Sequence, residues 1–268
     1  MKQRILATNI LWLIVIALTW LLGEWGAFLL IAVFGTGSMW ELSSLLQKAQ
    51  HPLNRPVALA AYVALLAALI LIPPWLLPPF AMIAPILSVA AVACLYRSQV
   101  GTFAATVIPT IGAILLLILP FGSATLMIHE SGLVLPIWVL AVTKFGDVGA
   151  LLTGMWLGRH KMAPAFSPNK TWEGLAGGIV LSVLVSLGFV LLFRDWLPAE
   201  LTLLHAAWSA AFISLAGVFG DLTESAFKRE ARVKDSGNII PGIGGFLDLM
   251  DSLILAMPMA YFLTWLIF

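Results

Sequence analysis

Apolar runs fill most of this chain, and their length decides what they are. A helix that crosses a bilayer needs about 20 mainly apolar residues. Nine stretches meet or approach that length: 5–22, 25–46, 56–77, 79–95, 102–121, 133–157, 174–193, 204–227 and 246–268. The pattern predicts an all-α, polytopic integral membrane helix bundle of about nine transmembrane helices. Only Gly23 and Glu24 separate the first two stretches, so a tight helical hairpin is expected there. Pro73, Pro74, Pro78 and Pro79 mark the hairpin after the third stretch, because proline cannot donate to a helical ladder. Lys2 and Arg4 ahead of 5–22 imitate a secretory signal, but no small-x-small cleavage site follows, so this run is read as a retained helix. About five helices fall in 1–130. The remaining region, 131–268, carries the polar loops 159–173 and 228–245.

Composition sharpens this picture. The chain is 61% hydrophobic and 10% charged, against roughly 25% charged residues in soluble domains. The formal net charge is +1, so no strong basic field points to nucleic acid. Cys94, the single cysteine, cannot form an intramolecular disulfide and reads as a small buried hydrophobe. His51, His129, His160 and His205 are scattered, without the spacing of a zinc site. Lysines and arginines set the orientation. With nine spans and a cytoplasmic N-terminus, Lys2, Arg4, Lys48, Arg55, Arg97, Arg159, Lys161, Lys170, Lys228, Arg229, Arg232 and Lys234 all fall on the cytoplasmic face. Arg194 falls on the opposite face, and Lys144 lies within a span. Glu41 lies near the cytoplasmic end of the second span, where snorkelling or a local pair accounts for it.

The chemistry is concentrated in the second half. Lys144 and Asp147 share a helix face. An ionised group inside a span costs about 2.5–3.5 kcal/mol on insertion scales, so this pair either neutralises itself or lines a polar cavity. Gly146, Ala150, Gly154 and Gly158 form a small-residue stripe that admits a neighbouring backbone. In the loop that follows, Ser167, Lys170 and Thr171 offer hydroxyls and an ammonium near a helix start. That chemistry suits a phosphate. A positive-inside loop with Thr171 as helix cap fits the same residues equally well.

The richest stretch is 221–251. Lys228, Arg229, Arg232 and Lys234 form a basic cluster that would suit anionic headgroups. Asp221, Glu224, Asp235, Asp248 and Asp251 are interleaved with it, and this mixture suits metal and polyphosphate together. Gly242, Gly244 and Gly245, after Pro241, let a backbone approach an anion. Asp248 and Asp251 share a face if the last stretch is one continuous helix. Together with Asp221 they make a candidate Mg²⁺ set, since magnesium takes one or two carboxylates, waters and substrate phosphates. Complementing the helix dipole is the competing role for the pair.

Ser225-x-x-Lys228-Arg229, Lys234-Asp235, Pro241-Gly242-x-Gly244-Gly245 and Asp248-x-x-Asp251, in that order, resemble the signature of the phosphatidate cytidylyltransferases. The block Ser167-Pro-Asn-Lys-Thr-Trp-Glu-Gly174, with Asp147 upstream, is similar to that family's second characteristic motif. The resemblance covers roughly 140–255. Two positions depart from it: Ile243, where members commonly carry histidine, and Leu249, where they carry arginine. The resemblance implies that CTP and phosphatidate give CDP-diacylglycerol and pyrophosphate, with one or two Mg²⁺ ions; the single cysteine and compact length suit a bacterial inner membrane, and the lysines and arginines put the site on its cytoplasmic side. It implies metal ligation by Asp221, Asp248 and Asp251. It further implies catalytic or phosphate-binding roles for Asp147, Lys170, Lys228, Arg229, Lys234 and Asp235, and nucleotide contacts by Ser167, Thr171, Gly242, Gly244 and Gly245. A homodimer stays open. The rival readings are a CTP-dependent polyprenol or phytol kinase and, from another class, an ion-coupled transporter using Lys144, Asp147 and Asp221.

Overall fold

Each of the nine apolar stretches holds helix in the computed structural model, which describes residues 2–97, 102–240, 242 and 244–268, although the third is helical only to Leu71. They are α1 (Lys2–Leu22), α2 (Glu24–Lys48), α3 (Arg55–Leu71), α4 (Pro79–Arg97), α5 (Phe103–Ser131), α6 (Val134–Leu157), α7 (Trp172–Leu192), α8 (Leu203–Glu230), α9 (Phe246–Met250) and α10 (Leu253–Ile267). Among the described residues, six segments are long and apolar enough to cross a membrane: α2, α5, α6, α7, α8 and Phe246–Ile267. Leu13–Leu22, Arg55–Leu71 and Ala81–Tyr96 are shorter apolar helices. Large apolar side chains such as Trp20, Trp156 and Leu192 are exposed, as a lipid-facing surface requires. The protein is a polytopic helical membrane bundle.

Two local features differ from the sequence expectation. The last stretch is not one helix: it breaks at Asp251–Ser252, between α9 and α10. The shared helix face expected of Asp248 and Asp251 therefore does not form. The loop at 159–173 is also not structureless. Lys161–Ala163 (β1) and Ser167–Thr171 (β2) pair antiparallel, with Lys161 opposite Thr171 and Ala163 opposite Ser167. Trp172 N–H donates to the His160 carbonyl at 3.0 Å and closes the hairpin base.

The chain divides into two compact units, residues 1–129 with 227–250, and residues 130–226 with 251–268. In the first, α2 through α5 bury Met39, Leu42, Tyr62, Leu65, Leu69, Ile114 and Leu117. Asn54 starts α3 by accepting from Val57 N–H at 3.4 Å, and its own N–H donates to Thr110 Oγ1 at 2.9 Å. Arg55 stacks 3.4 Å over the Trp40 ring and donates to Ser44 Oγ at 3.0 Å, which steadies the end of α2. One face of α2 receives α9. Phe246 meets Phe34 edge-on at 5.4 Å, and its ring occupies the space a Cβ would need at Gly37.

In the second unit α6 and α7 pack backbone to backbone. A Cβ at Gly149 would lie 2.9 Å from the Gly177 carbonyl oxygen, and one at Gly178 would lie 2.9 Å from that of Gly146. The expected small-residue stripe on α6 thus meets a matching one on α7. Hydrogen bonds then tie in the next helix. Trp138 Nε1 donates to Ser186 Oγ at 2.9 Å, and Ser186 Oγ donates to the Ala206 carbonyl at 2.9 Å. Interhelical bonds of this kind contribute about 0.6–1.7 kcal/mol each in a membrane. The chain at Asp251–Ser252 lies against α8, where a Cβ at Gly220 would sit 2.8 Å from the Asp251 carbonyl oxygen.

Candidate functional site

Ionisable side chains gather in each unit. In the second unit they come from four elements. Lys170, on β2, reaches Asp221 Oδ2 at 2.8 Å and the Val218 carbonyl at 3.1 Å. The hairpin positions this lysine, because β2 runs directly into α7 through Thr171. Thr171 caps α7 by accepting from Gly174 N–H at 3.1 Å, so its hydroxyl serves as a helix cap here. Ser167 begins β2 and is half-buried.

Lys144 and Asp147 share a face of α6 as expected, with Nζ 3.7 Å from Oδ2. The same ammonium lies 3.6 Å from Asp251 Oδ1 and donates to Ser252 Oγ at 3.0 Å. Ser252 Oγ donates in turn to Asp147 Oδ2 at 3.0 Å. The break between α9 and α10 therefore has a partner: it delivers Asp251 and Ser252 to the polar face of α6.

Asp221, Glu224 and Asp251 each present a carboxylate oxygen, and these oxygens lie within 4.8 Å of one another. Asp221 also accepts from Ser225 Oγ at 3.3 Å. Asp221 and Asp251 are half-buried and Glu224 is fully buried. Lys170 and Lys144 offset part of this negative charge, and a bound cation would offset more of it. Hard carboxylate oxygens of this number and spacing fit a divalent cation of the magnesium type. Glu224 was visible in the sequence on the polar face of its helix, but helical spacing alone does not single it out as a ligand.

In the first unit the centre is Asp248. Its Oδ1 accepts from Lys228 Nζ at 2.8 Å, and the two side chains are 8% and 12% exposed. Its Oδ2 accepts from Ser236 N–H at 2.9 Å and Gly245 N–H at 2.8 Å, and lies 2.8 Å from Ser236 Oγ, whose single proton is shared between Asp248 and Glu41. The glycine loop is therefore folded onto its own aspartate. Ile240 and Gly244 exchange both backbone hydrogen bonds, at 2.9 and 3.1 Å. Gly244 has φ +130°, and a Cβ there would collide with the Asp248 carboxylate. Gly242 adopts φ +78°. Pro241 and Ile243 lie outside the described residues. Arg229 is exposed and donates to the Val233 carbonyl at 3.3 Å, and Lys234 and Asp235 are exposed.

Sequence reasoning gave Glu41 no role beyond a local pair, yet it is 4% exposed and sits inside this loop. Its Oε1 accepts from Phe246 N–H at 3.0 Å, and its Oε2 accepts from Leu247 N–H at 2.9 Å and Ser236 Oγ at 2.8 Å. Gly237 and Gly245 lie so close that a Cβ on either would overlap the Glu41 carboxylate. The only sequence signal was a carboxylate within an apolar helix.

Comparison with known proteins gives consistent results. The model of the cytidylyltransferase family matches residues 2–267. The chain is similar to the phosphatidate cytidylyltransferase of Bacillus subtilis, 43% identical over 136 residues, covering 51% of this chain and 49% of that protein. It is similar to the phosphatidate cytidylyltransferase of Pseudomonas aeruginosa, 36% identical over 159 residues, covering 58% of this chain and 57% of that one. The Staphylococcus aureus phosphatidate cytidylyltransferase is 40% identical over 136 residues, covering 49% of each chain. The chain thus spans about half the length of the curated relatives it matches.

Proposed function

This chain belongs to the cytidylyltransferase family, and we propose that it transfers the cytidylyl group of CTP to phosphatidate, releasing pyrophosphate and forming CDP-diacylglycerol. The observation that carries this reading is the carboxylate group of Asp221, Glu224 and Asp251 with Lys170 bonded to Asp221. A relative named phosphatidate cytidylyltransferase at 43% identity supports the substrate pair.

An oxygen of the phosphatidate phosphate attacks the α-phosphorus of CTP. One P–O bond forms, the bond to the β-phosphate breaks, and pyrophosphate leaves with the electron pair. The attacking oxygen is already ionised, so no side chain need remove a proton. The obstacle is repulsion between two anions, and catalysis rests on cations and alignment. Asp221, Glu224 and Asp251 would hold Mg²⁺, which would supply charge neutralisation at the nucleotide phosphates. Asp248 steadies Lys228 and the glycine loop. Lys170, bonded to Asp221, is within reach to bind a substrate phosphate in its place. Lys144 holds Asp147 and Asp251 through one ammonium and through Ser252. Lys228, Arg229 and Lys234 bind phosphate, with Asp235 beside them. Ser167 contacts the nucleotide, while Thr171 keeps its hydroxyl on the cap of α7. The active side faces the cytoplasm of a bacterial inner membrane, in keeping with the distribution of lysine and arginine.

The test is purified protein with CTP labelled in the base, phosphatidate and Mg²⁺, followed by lipid extraction. Label entering the lipid phase with matching pyrophosphate release is expected. Label that stays aqueous while CDP accumulates would replace this reading with a lipid kinase.

A further inference from the structure

We infer that Glu41, on α2, is a positioning residue for the reaction: its carboxylate holds Ser236, Phe246 and Leu247 in the arrangement that presents Lys228 and Asp248. This rests on the transfer reaction proposed above. Three observations converge on it. The first is the donor set. One buried carboxylate accepts from Phe246 N–H, Leu247 N–H and Ser236 Oγ at 2.9–3.0 and 2.8 Å, so it grips both ends of the loop. The second is steric. Glycine at 237 and at 245 is required by the approach of Glu41, whose oxygens occupy the place of a Cβ at both positions. The third is the shared hydroxyl. Ser236 Oγ lies 2.8 Å from Glu41 Oε2 and 2.8 Å from Asp248 Oδ2, which links the strut directly to the aspartate it supports.

The physical consequence follows from where the donors would go without Glu41. The Phe246 and Leu247 amides would lose their acceptor, and each such loss costs about 1–3 kcal/mol, while the Ser236 hydroxyl would be left with Asp248 alone. The loop would relax toward water, and Asp248 would lose the fixed Ser236 and Gly245 donors that aim it. Misplacement by about 1 Å at a reacting centre costs on the order of 100-fold in rate. Phe246, seated between Phe34 and Gly37, anchors α9 on the same face of α2, so the N-terminal half of the chain shapes this loop.

The test uses the purified full-length protein and the variants Glu41→Gln, Glu41→Ala and Ser236→Ala. Hydrogen exchange is followed at the amides of residues 244–248. Cytidylyl transfer is measured at varied CTP–Mg²⁺ and, separately, at varied phosphatidate. Exchange at 244–248 should rise most in Glu41→Ala and less in Glu41→Gln, which keeps one acceptor, with peptides from α6 and α7 unchanged. In Glu41→Gln, kcat/KM for CTP–Mg²⁺ should fall about 10- to 100-fold. The KM for phosphatidate should stay within about twofold. A purely structural role would lower the amount of folded protein and leave kcat/KM per folded molecule unchanged, and that result overturns the inference. Unchanged exchange at 244–248 overturns it too. A wild type that transfers no cytidylyl group sinks the reaction and with it the catalytic half of the inference, while the exchange comparison still decides whether Glu41 holds the loop.

Discussion

Lys170 Nζ lies 2.8 Å from Asp221 Oδ2, which joins the hairpin before α7 to the polar face of α8. The lysine is 21% exposed and the aspartate 30%, so the pair is neither dry nor freely solvated. It is the contact a substrate phosphate and a cation would jointly replace.

Replacing Lys170 with methionine removes the ammonium and keeps most of the stem. Loss of one preorganised donor to a developing charge costs about 100- to 1000-fold in catalysed rate. A drop of that order in kcat/KM is expected for Lys170→Met, with Lys170→Arg falling between it and wild type. Steady-state transfer assays on the purified variants measure it.

Asp221→Asn and Asp251→Asn each remove one charge from the carboxylate group. Both should shift the Mg²⁺ dependence of transfer to higher concentration and lower the maximum by at least 100-fold, roughly the loss seen when a charge-stabilising group is deleted. Chelation by EDTA should abolish transfer in wild type, and added Mg²⁺ should restore it. Full activity in the presence of chelator would remove the metal from the mechanism.

Lys228 and Asp248 form a pair in which each side chain is nearly buried. Removing one partner takes the neutralising charge from the other, at a cost of about 3–5 kcal/mol, while removing both costs less than the sum. Thermal unfolding of Lys228→Met, Asp248→Asn and the double variant should therefore give a non-additive cycle.

The α6–α7 contact predicts a contrast between two glycines. Gly149→Ala would press a methyl to 2.8 Å from Leu181 Cβ and 2.9 Å from the Gly177 carbonyl oxygen. That backbone cannot yield cheaply, and a loss of about 1–3 kcal/mol is expected. Gly188→Ala meets nothing within 4 Å and should leave stability unchanged or slightly raised. Melting temperatures of the detergent-solubilised variants separate the two.

Much of this was legible in the chain. The nine apolar stretches coincide with helices because hydropathy over about 20 residues is a local property. The Lys144–Asp147 pair and the glycine stripe of α6 followed from helical spacing. The hairpin at 161–171 was not legible, because its strands are short and its pairing depends on the helix it leads into. The break at Asp251–Ser252 was also hidden. No glycine or proline marks it, and it is stabilised by Lys144 and Asp147, which lie more than 100 positions away along the chain.

The sequence by itself determined the class of protein, the helical segments and the residue types from which the chemistry is built, since each depends on composition or on neighbours within a few turns. Only the tertiary structure decided which carboxylates share a cluster. It grouped Glu224 with Asp221 and Asp251, and gave Asp248 its own network of Lys228, Ser236 and Gly245. It also brought Glu41 to Ser236 across 195 positions of chain. The physical reason is that a buried carboxylate must find donors, and which donors it finds depends on how distant helices pack, which no local pattern records.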